Sequence, residues 1–142
     1  MTAQPITAAE FEERLSALCR SAGGAVFPRR PRDRHILFRS AVQSLDTGRD
    51  YAELQLNTAL REWLAGVGSG LGIDHVTFRR YLVDEGYLVR NASGSQYEVR
   101  PSARGQVEFA PEVAAVDSAA VVRAAQEQAA ERKRRQTGPA VT

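Results

Sequence analysis

The sequence predicts a mainly α-helical domain carrying a small β-hairpin. Apolar residues recur at helical spacing in several successive segments, and glycine or aspartate breaks separate those segments. Two short segments of alternating character then flank the polar loop Asn91-Ala92-Ser93-Gly94-Ser95, which is hairpin chemistry.

Thr7-Ala8-Ala9-Glu10 is a capping-box pattern that opens the first helix. Phe11, Leu15, Leu18 and Cys19 then share one face, and Gly23-Gly24 stops it. Phe27 is extended because Pro28 follows it. Pro31 suits the first turn of the next helix, which runs to about Leu45 and buries Leu37, Phe38, Ala41, Val42 and Leu45. After the turn Asp46-Thr47-Gly48-Arg49, a further helix begins near Asp50 to Ala52, with Asp50 and Glu53 as its cap and Leu56, Leu60, Trp63 and Leu64 as its buried stripe. The run Gly66 to Gly72 reads as a flexible connection. It is no phosphate-binding loop, since such loops follow a strand and this one follows a helix. Asp74 caps the next helix, in which Val76, Phe78, Leu82 and Val83 are the apolar set and Gly86 the stop. Tyr87 to Arg90 and Gln96 to Arg100 are the hairpin strands. Residues 101–110 read as a linker, and Pro111 or Asp117 opens an alanine-rich helix ending in Arg132-Lys133-Arg134-Arg135.

Three helices followed by a hairpin is the order of a winged helix-turn-helix. The fold class is therefore a winged helix-turn-helix core flanked by N- and C-terminal helices. The divisions are an N-terminal amphipathic helix (residues 1–25), a winged-helix-like domain (26–100), the linker (101–110), a C-terminal helix (111–136) and a disordered tail (137–142).

Composition narrows the function. The 142 residues suffice for one domain with a core of its own. A single cysteine, Cys19, excludes an intrachain disulfide and fits a reducing cytosol, so a cytoplasmic location is expected. No run of about 18 apolar residues is present, so no membrane partner is expected. Met1 to Ala9 lacks the basic start and apolar run of a signal peptide. The net charge is only +2, but the positive charge is clustered. Arg29, Arg30, Arg32, Arg34 and Arg39 stand against Asp33, and Arg123 with the Arg132 to Arg135 run stands against Glu127 and Glu131. Nothing marks an enzyme. His35 and His75 lack a cysteine at metal spacing, Cys19 sits on an apolar helix face, and no carboxylate pair stands out. No metal, cofactor or catalytic residue is expected.

The segments Gly48-Arg49-Asp50-Tyr51-Ala52-Glu53-Leu54-Gln55-Leu56-Asn57 and Phe78-Arg79-Arg80-Tyr81-Leu82-Val83-Asp84-Glu85-Gly86-Tyr87-Leu88-Val89-Arg90, with Gly94 and Tyr97 behind them, carry a resemblance. Over about Val26 to Arg100 the chain resembles a bacterial family known as domain of unknown function 2087. The resemblance implies a winged-helix module and a role in transcription, with no activity to carry over. The family usually has Thr or Ser after the tyrosine of the second helix, where this chain has Ala52.

A winged helix lays its third helix in the major groove, while the wing and nearby backbone touch phosphates. The third helix would offer His75, Thr77, Arg79 and Arg80 to base edges. The wing would offer Arg90, Asn91, Ser93, Ser95 and Arg100, and Arg29, Arg30, Arg32 and Arg34 would hold phosphates. The competing fate of Arg79 and Arg80 is an ion pair with Asp84, Glu85 or Glu53. Trp63 and Tyr51 belong to the core. The expected partner is double-stranded DNA. The terminal helices would pair two copies across a two-fold axis, or fold back on their own domain. The alternative function is a non-catalytic adaptor that binds a protein partner through the same module and the terminal helices.

Overall fold

The computed structural model describes residues 4–20, 27–102 and 107–137. Its elements in order are α1 (Ala8–Cys19), α2 (Pro31–Gln43), β1 (Asp50–Ala52), α3 (Glu53–Ala65), α4 (His75–Asp84), β2 (Leu88–Arg90), β3 (Gln96–Val99), a 3₁₀ turn (Pro111–Ala115) and α5 (Ser118–Thr137). The fold is mainly helical with a small antiparallel sheet. Of the tail expected at 137–142, Thr137 instead ends α5 and the rest lies outside the described residues, as do the Gly23-Gly24 stop and the middle of the expected linker.

α1 opens as its sequence suggests, with the Thr7 hydroxyl accepting the Glu10 amide. Only that half of the expected capping box forms. Glu10 turns its carboxylate to Arg32, accepting from Nε at 2.5 Å and Nη2 at 2.7 Å. Beside it, Arg14 grips the buried Asp33 through two bonds of 3.0 and 3.1 Å. These two-pronged pairs clamp α1 to the first turn of α2.

The hairpin β2–β3 is joined by a third strand. β1 pairs with β3 antiparallel, matching Tyr51 with Tyr97, so the strand order is β1-β3-β2. Asp50 to Ala52 had been expected as the start of a helix. Tyr51 has a buried ring whose hydroxyl accepts the Asp46 amide at 2.8 Å, and this holds the segment extended. α3 therefore begins one residue later than Ala52. Asp50 and Glu53 do not cap it; Gln55 reaches back instead, its Oε1 accepting the Ala52 amide at 3.2 Å.

The core gathers Leu56, Leu60 and Trp63 of α3, Phe78 and Leu82 of α4, the central residues of α2 and the inward side chains Leu88, Tyr97 and Val99 of the sheet. Trp63 stacks on Phe78 with ring centroids 5.2 Å apart and donates from Nε1 to Ser40 Oγ. Tyr51 and Trp63 are thus core residues, as their sequence context suggested. The glycine run after α3 is a packed turn and not a loose connection. Val67 and Leu71 are buried, and the Gly68 amide donates to the Trp63 carbonyl at 2.9 Å. A Cβ at Gly68 would stand 2.7 Å from the Trp63 ring, so the close approach of the chain to the indole requires glycine.

The end of the expected linker is pinned. Ile6 and Phe109 form a parallel bridge through Ile6 N to Glu108 O and Ala110 N to Ile6 O, both 2.8 Å. Pro111 opens the 3₁₀ turn, not the long helix, and Asp117 caps α5 by accepting the Ala120 amide at 3.1 Å. α5 packs on α1 of its own chain. Val113 and Val122 are buried there, and Gln126 donates to the Cys19 carbonyl at 3.2 Å.

Candidate nucleic-acid interface

α4 and the end of β2 approach one another at Tyr97. The Arg79 guanidinium of α4 lies 6.0 Å from the Tyr97 ring centre, and that of Arg90, the last residue of β2, 5.9 Å. Tyr97 is buried against Arg90 in the strand register and faces α3 and α4 from the sheet. Aromatic faces attract guanidinium groups, and at this edge of the useful range the ring adds weakly to the packing of α4 beside the end of β2.

The residues expected to meet DNA divide by what they do in the fold. Arg79 is mostly consumed. It bonds Asn57 Oδ1, lies 3.4 Å from a Glu53 oxygen, and its side chain is 18% exposed. That is the competing ion-pair fate, and it ties α4 to α3. Arg80, the next residue, is exposed and makes no hydrogen bond or ion pair among the described residues. Thr77 is half-buried, with its amide donating to the Asp74 cap at 2.7 Å. His75 is half-buried too, its Nε2 lying 3.4 Å from Arg61 Nη2. The exposed stripe of α4 is therefore Val76, Arg80 and Asp84, one turn apart.

In the loop, Asn91 serves the turn. Its Oδ1 accepts the amides of Ser95 at 2.9 Å and Gln96 at 3.2 Å and the Ser93 hydroxyl at 3.2 Å. Ser93 also bonds Ser95 through their hydroxyls at 2.7 Å. Gly94 sits at φ 74°, the left-handed conformation that the turn needs. Arg90 and Arg100 are exposed at opposite ends of the hairpin: Arg90 ends β2 beside the loop, its Nε 3.4 Å from the Gly94 carbonyl, whereas Arg100 follows β3 at the hairpin base, its amide donating to the Tyr87 carbonyl and its guanidinium 3.4 Å from Glu98.

The arginine cluster before α2 is thinner than the sequence suggested. Arg32 is committed to Glu10, and Arg39 is buried, bonding Gln43 and the Pro101 carbonyl at 2.6 Å each. Arg34 lies over the Tyr81 and Phe27 rings at 4.5 and 5.3 Å, with its Nε buried and unpartnered. Arg29 and Arg30 are exposed and unpaired among the described residues. They follow Phe27, whose ring packs on Phe78 and Tyr81 of α4 at 6.1 and 5.7 Å.

Sequence reasoning missed three exposed residues on α3 and α4. Val76, one of the apolar set of α4, is 45% exposed, and Leu54 on α3 is 80% exposed. Arg61, exposed beside His75, was also missed. Its signal was available: it stands between Leu60 and Trp63 on the polar side of the α3 stripe.

Behind the face lies a buried polar pair. His35 Nδ1 is 2.9 Å from the Tyr87 hydroxyl, and His35 Nε2 is 3.6 Å from a Glu85 oxygen. Burial pulls the His35 imidazole below its ordinary value of 6.5, opposed by Glu85 and reinforced by Arg34. Burial also pushes the Tyr87 phenol well above its usual range. No group of three or more potential metal ligands occurs among the described residues.

The model of one protein family, described as an uncharacterized protein conserved in bacteria (DUF2087), matches residues 25–99, just over half of the chain. The chain belongs to this family. The DUF2087 match spans α2 to β3, which contains the α4 face and the loop, and leaves α1 and α5 outside it. No curated protein and no solved structure matches the chain. Among the described residues no helix is long and apolar enough to cross a membrane.

Proposed function

We propose that this protein is a non-catalytic DNA-binding protein, a transcription regulator or a DNA-associated factor, acting through a winged-helix module. The element order α2-β1-α3-α4-β2-β3, with β1 joined to β3, supports the module. The observation that carries the DNA reading is the exposed Arg80 on α4, with no partner among the described residues, near the hairpin that carries the exposed Arg90 at the end of β2. α4 enters the major groove, where Arg80 bonds a guanine edge and Val76 meets a thymine methyl. Arg29, Arg30, Arg90 and Arg100 hold phosphates. Arg79 positions α4 and does not touch DNA. Asn91 and Ser93 shape the wing, and any bond they make to phosphate comes second.

Fluorescence anisotropy of a labelled duplex tests the proposal. Phosphate contacts release counterions, so four of them give a slope of about −4 in log affinity against log salt. Absence of binding at low salt would reject the reading. The outcome would then favour a protein-interaction adaptor, which the exposed Leu54 and Val76 on neighbouring helices support.

A further inference from the structure

α1 and α5 run parallel, and a groove lies between them. Ala9 of α1 shares one depression with Val121 of α5, and Arg20 shares the next with Arg132. The depressions measure about 450 and 260 Å³ and have Glu13, Ser16, Ala125 and Gln128 in common, so they form one continuous channel. Half of the residues that line it are alanine or serine. Small side chains of this kind let another helix approach to about 8 Å.

The channel is electrically polar. Its charged lining residues are segregated: Glu12 and Glu13 precede Ser16 along α1, and Arg20 and Arg132 lie beyond it. None of the four makes a hydrogen bond or salt bridge among the described residues. Glu13 and Arg20 are separated by about 10 Å at the helical rise, too far to neutralise each other within one chain.

We propose that this α1/α5 face packs on the same face of a second copy of the chain, in an antiparallel two-fold pair. A two-fold axis near Ser16, Ala17 and Ala125 lays the acidic end of each copy on the basic end of the other. A parallel pair would set like charges together, so charge selects the antiparallel one. This inference stands independently of the DNA reading, because both walls lie outside the family-matched segment.

Sedimentation equilibrium on the full chain tests it. The expected result is a monomer–dimer equilibrium with a dissociation constant of micromolar order. Ala17 and Ala124 are exposed, so Ala17→Arg and Ala124→Arg keep the fold and weaken the dimer by about tenfold or more. Glu13→Arg weakens it likewise, and the double swap Glu13→Arg with Arg20→Glu restores it. Ala17→Cys near the axis gives a disulfide-linked dimer on mild oxidation. Cys19 does not compete, being buried with its thiol pushed up to about 12 by desolvation. A monomer at about 100 µM, or a dimer that ignores both arginine substitutions, overturns the proposal.

Discussion

Adjacent arginines on α4 do opposite work, and alanine substitution separates them. Arg79→Ala removes a charge-assisted bond to Asn57, worth about 1.5–3 kcal/mol before compensation. The Glu53 partner is half-exposed and 3.4 Å away, so screening reduces that pair to about 0.5 kcal/mol or less. The Tyr97 contact at 6.0 Å is at the edge of the useful range and adds about 0.5 kcal/mol. Asn57 is half-buried and recovers water when abandoned, which returns part of the cost. The net expectation is a loss of about 2 kcal/mol. Arg80→Ala removes an exposed side chain with no partner and leaves stability unchanged. Trp63 is the only tryptophan, is 5% exposed and stacks on Phe78 of α4, so its fluorescence reports urea unfolding of this region. An unchanged midpoint for Arg79→Ala, or an equal drop for Arg80→Ala, would refute the division of labour.

Two further outcomes follow from the same packing. His35 is held neutral by burial, so its folded value lies below the unfolded one of 6.5. Its stabilising contribution is present above 6.5 and is lost as pH falls through the folded value, because the unfolded chain takes the proton first. The urea midpoint should fall between about pH 7.5 and pH 5, and His35→Gln should flatten that fall; an equally steep fall in the variant would exclude His35 as its source. Gly94→Ala forces a side chain onto a φ of 74° and a Cβ to within 2.7 Å of the mobile end of Arg90. It should cost about 1 kcal/mol, mostly from the backbone, and a midpoint at or above wild type would contradict the turn geometry.

The helices were legible because burial has a period. Phe11, Leu15 and Cys19 of α1 and Leu56, Leu60 and Trp63 of α3 are buried as their spacing suggested. β1 was not legible. Three residues are too few for alternation to show, and besides its local bond to Asp46 the segment is held extended by pairing with β3, where Tyr51 meets Tyr97, 46 positions away. The charged residues were the least legible. Nothing local distinguishes Arg32, which clamps α1, from Arg30, which is free, or Arg79 from Arg80. Partner choice is made by tertiary contacts across tens of residues. The glycine run misled for a related reason: Gly68 is there to admit the Trp63 ring, a contact that sequence spacing does not reveal. The hairpin loop was read correctly as turn chemistry, and its Asn91 and Ser93 are chiefly occupied in making that turn.

The central claim is that α4 meets DNA through Arg80 on a fold held by Arg79. The most direct measurement is the affinity of Arg80→Ala for duplex DNA, by anisotropy at near-physiological salt, with its urea midpoint measured alongside. The account predicts a loss of about 5- to 150-fold, the equivalent of about 1–3 kcal/mol for a guanine contact, at unchanged stability. Wild-type affinity in the folded variant would contradict it.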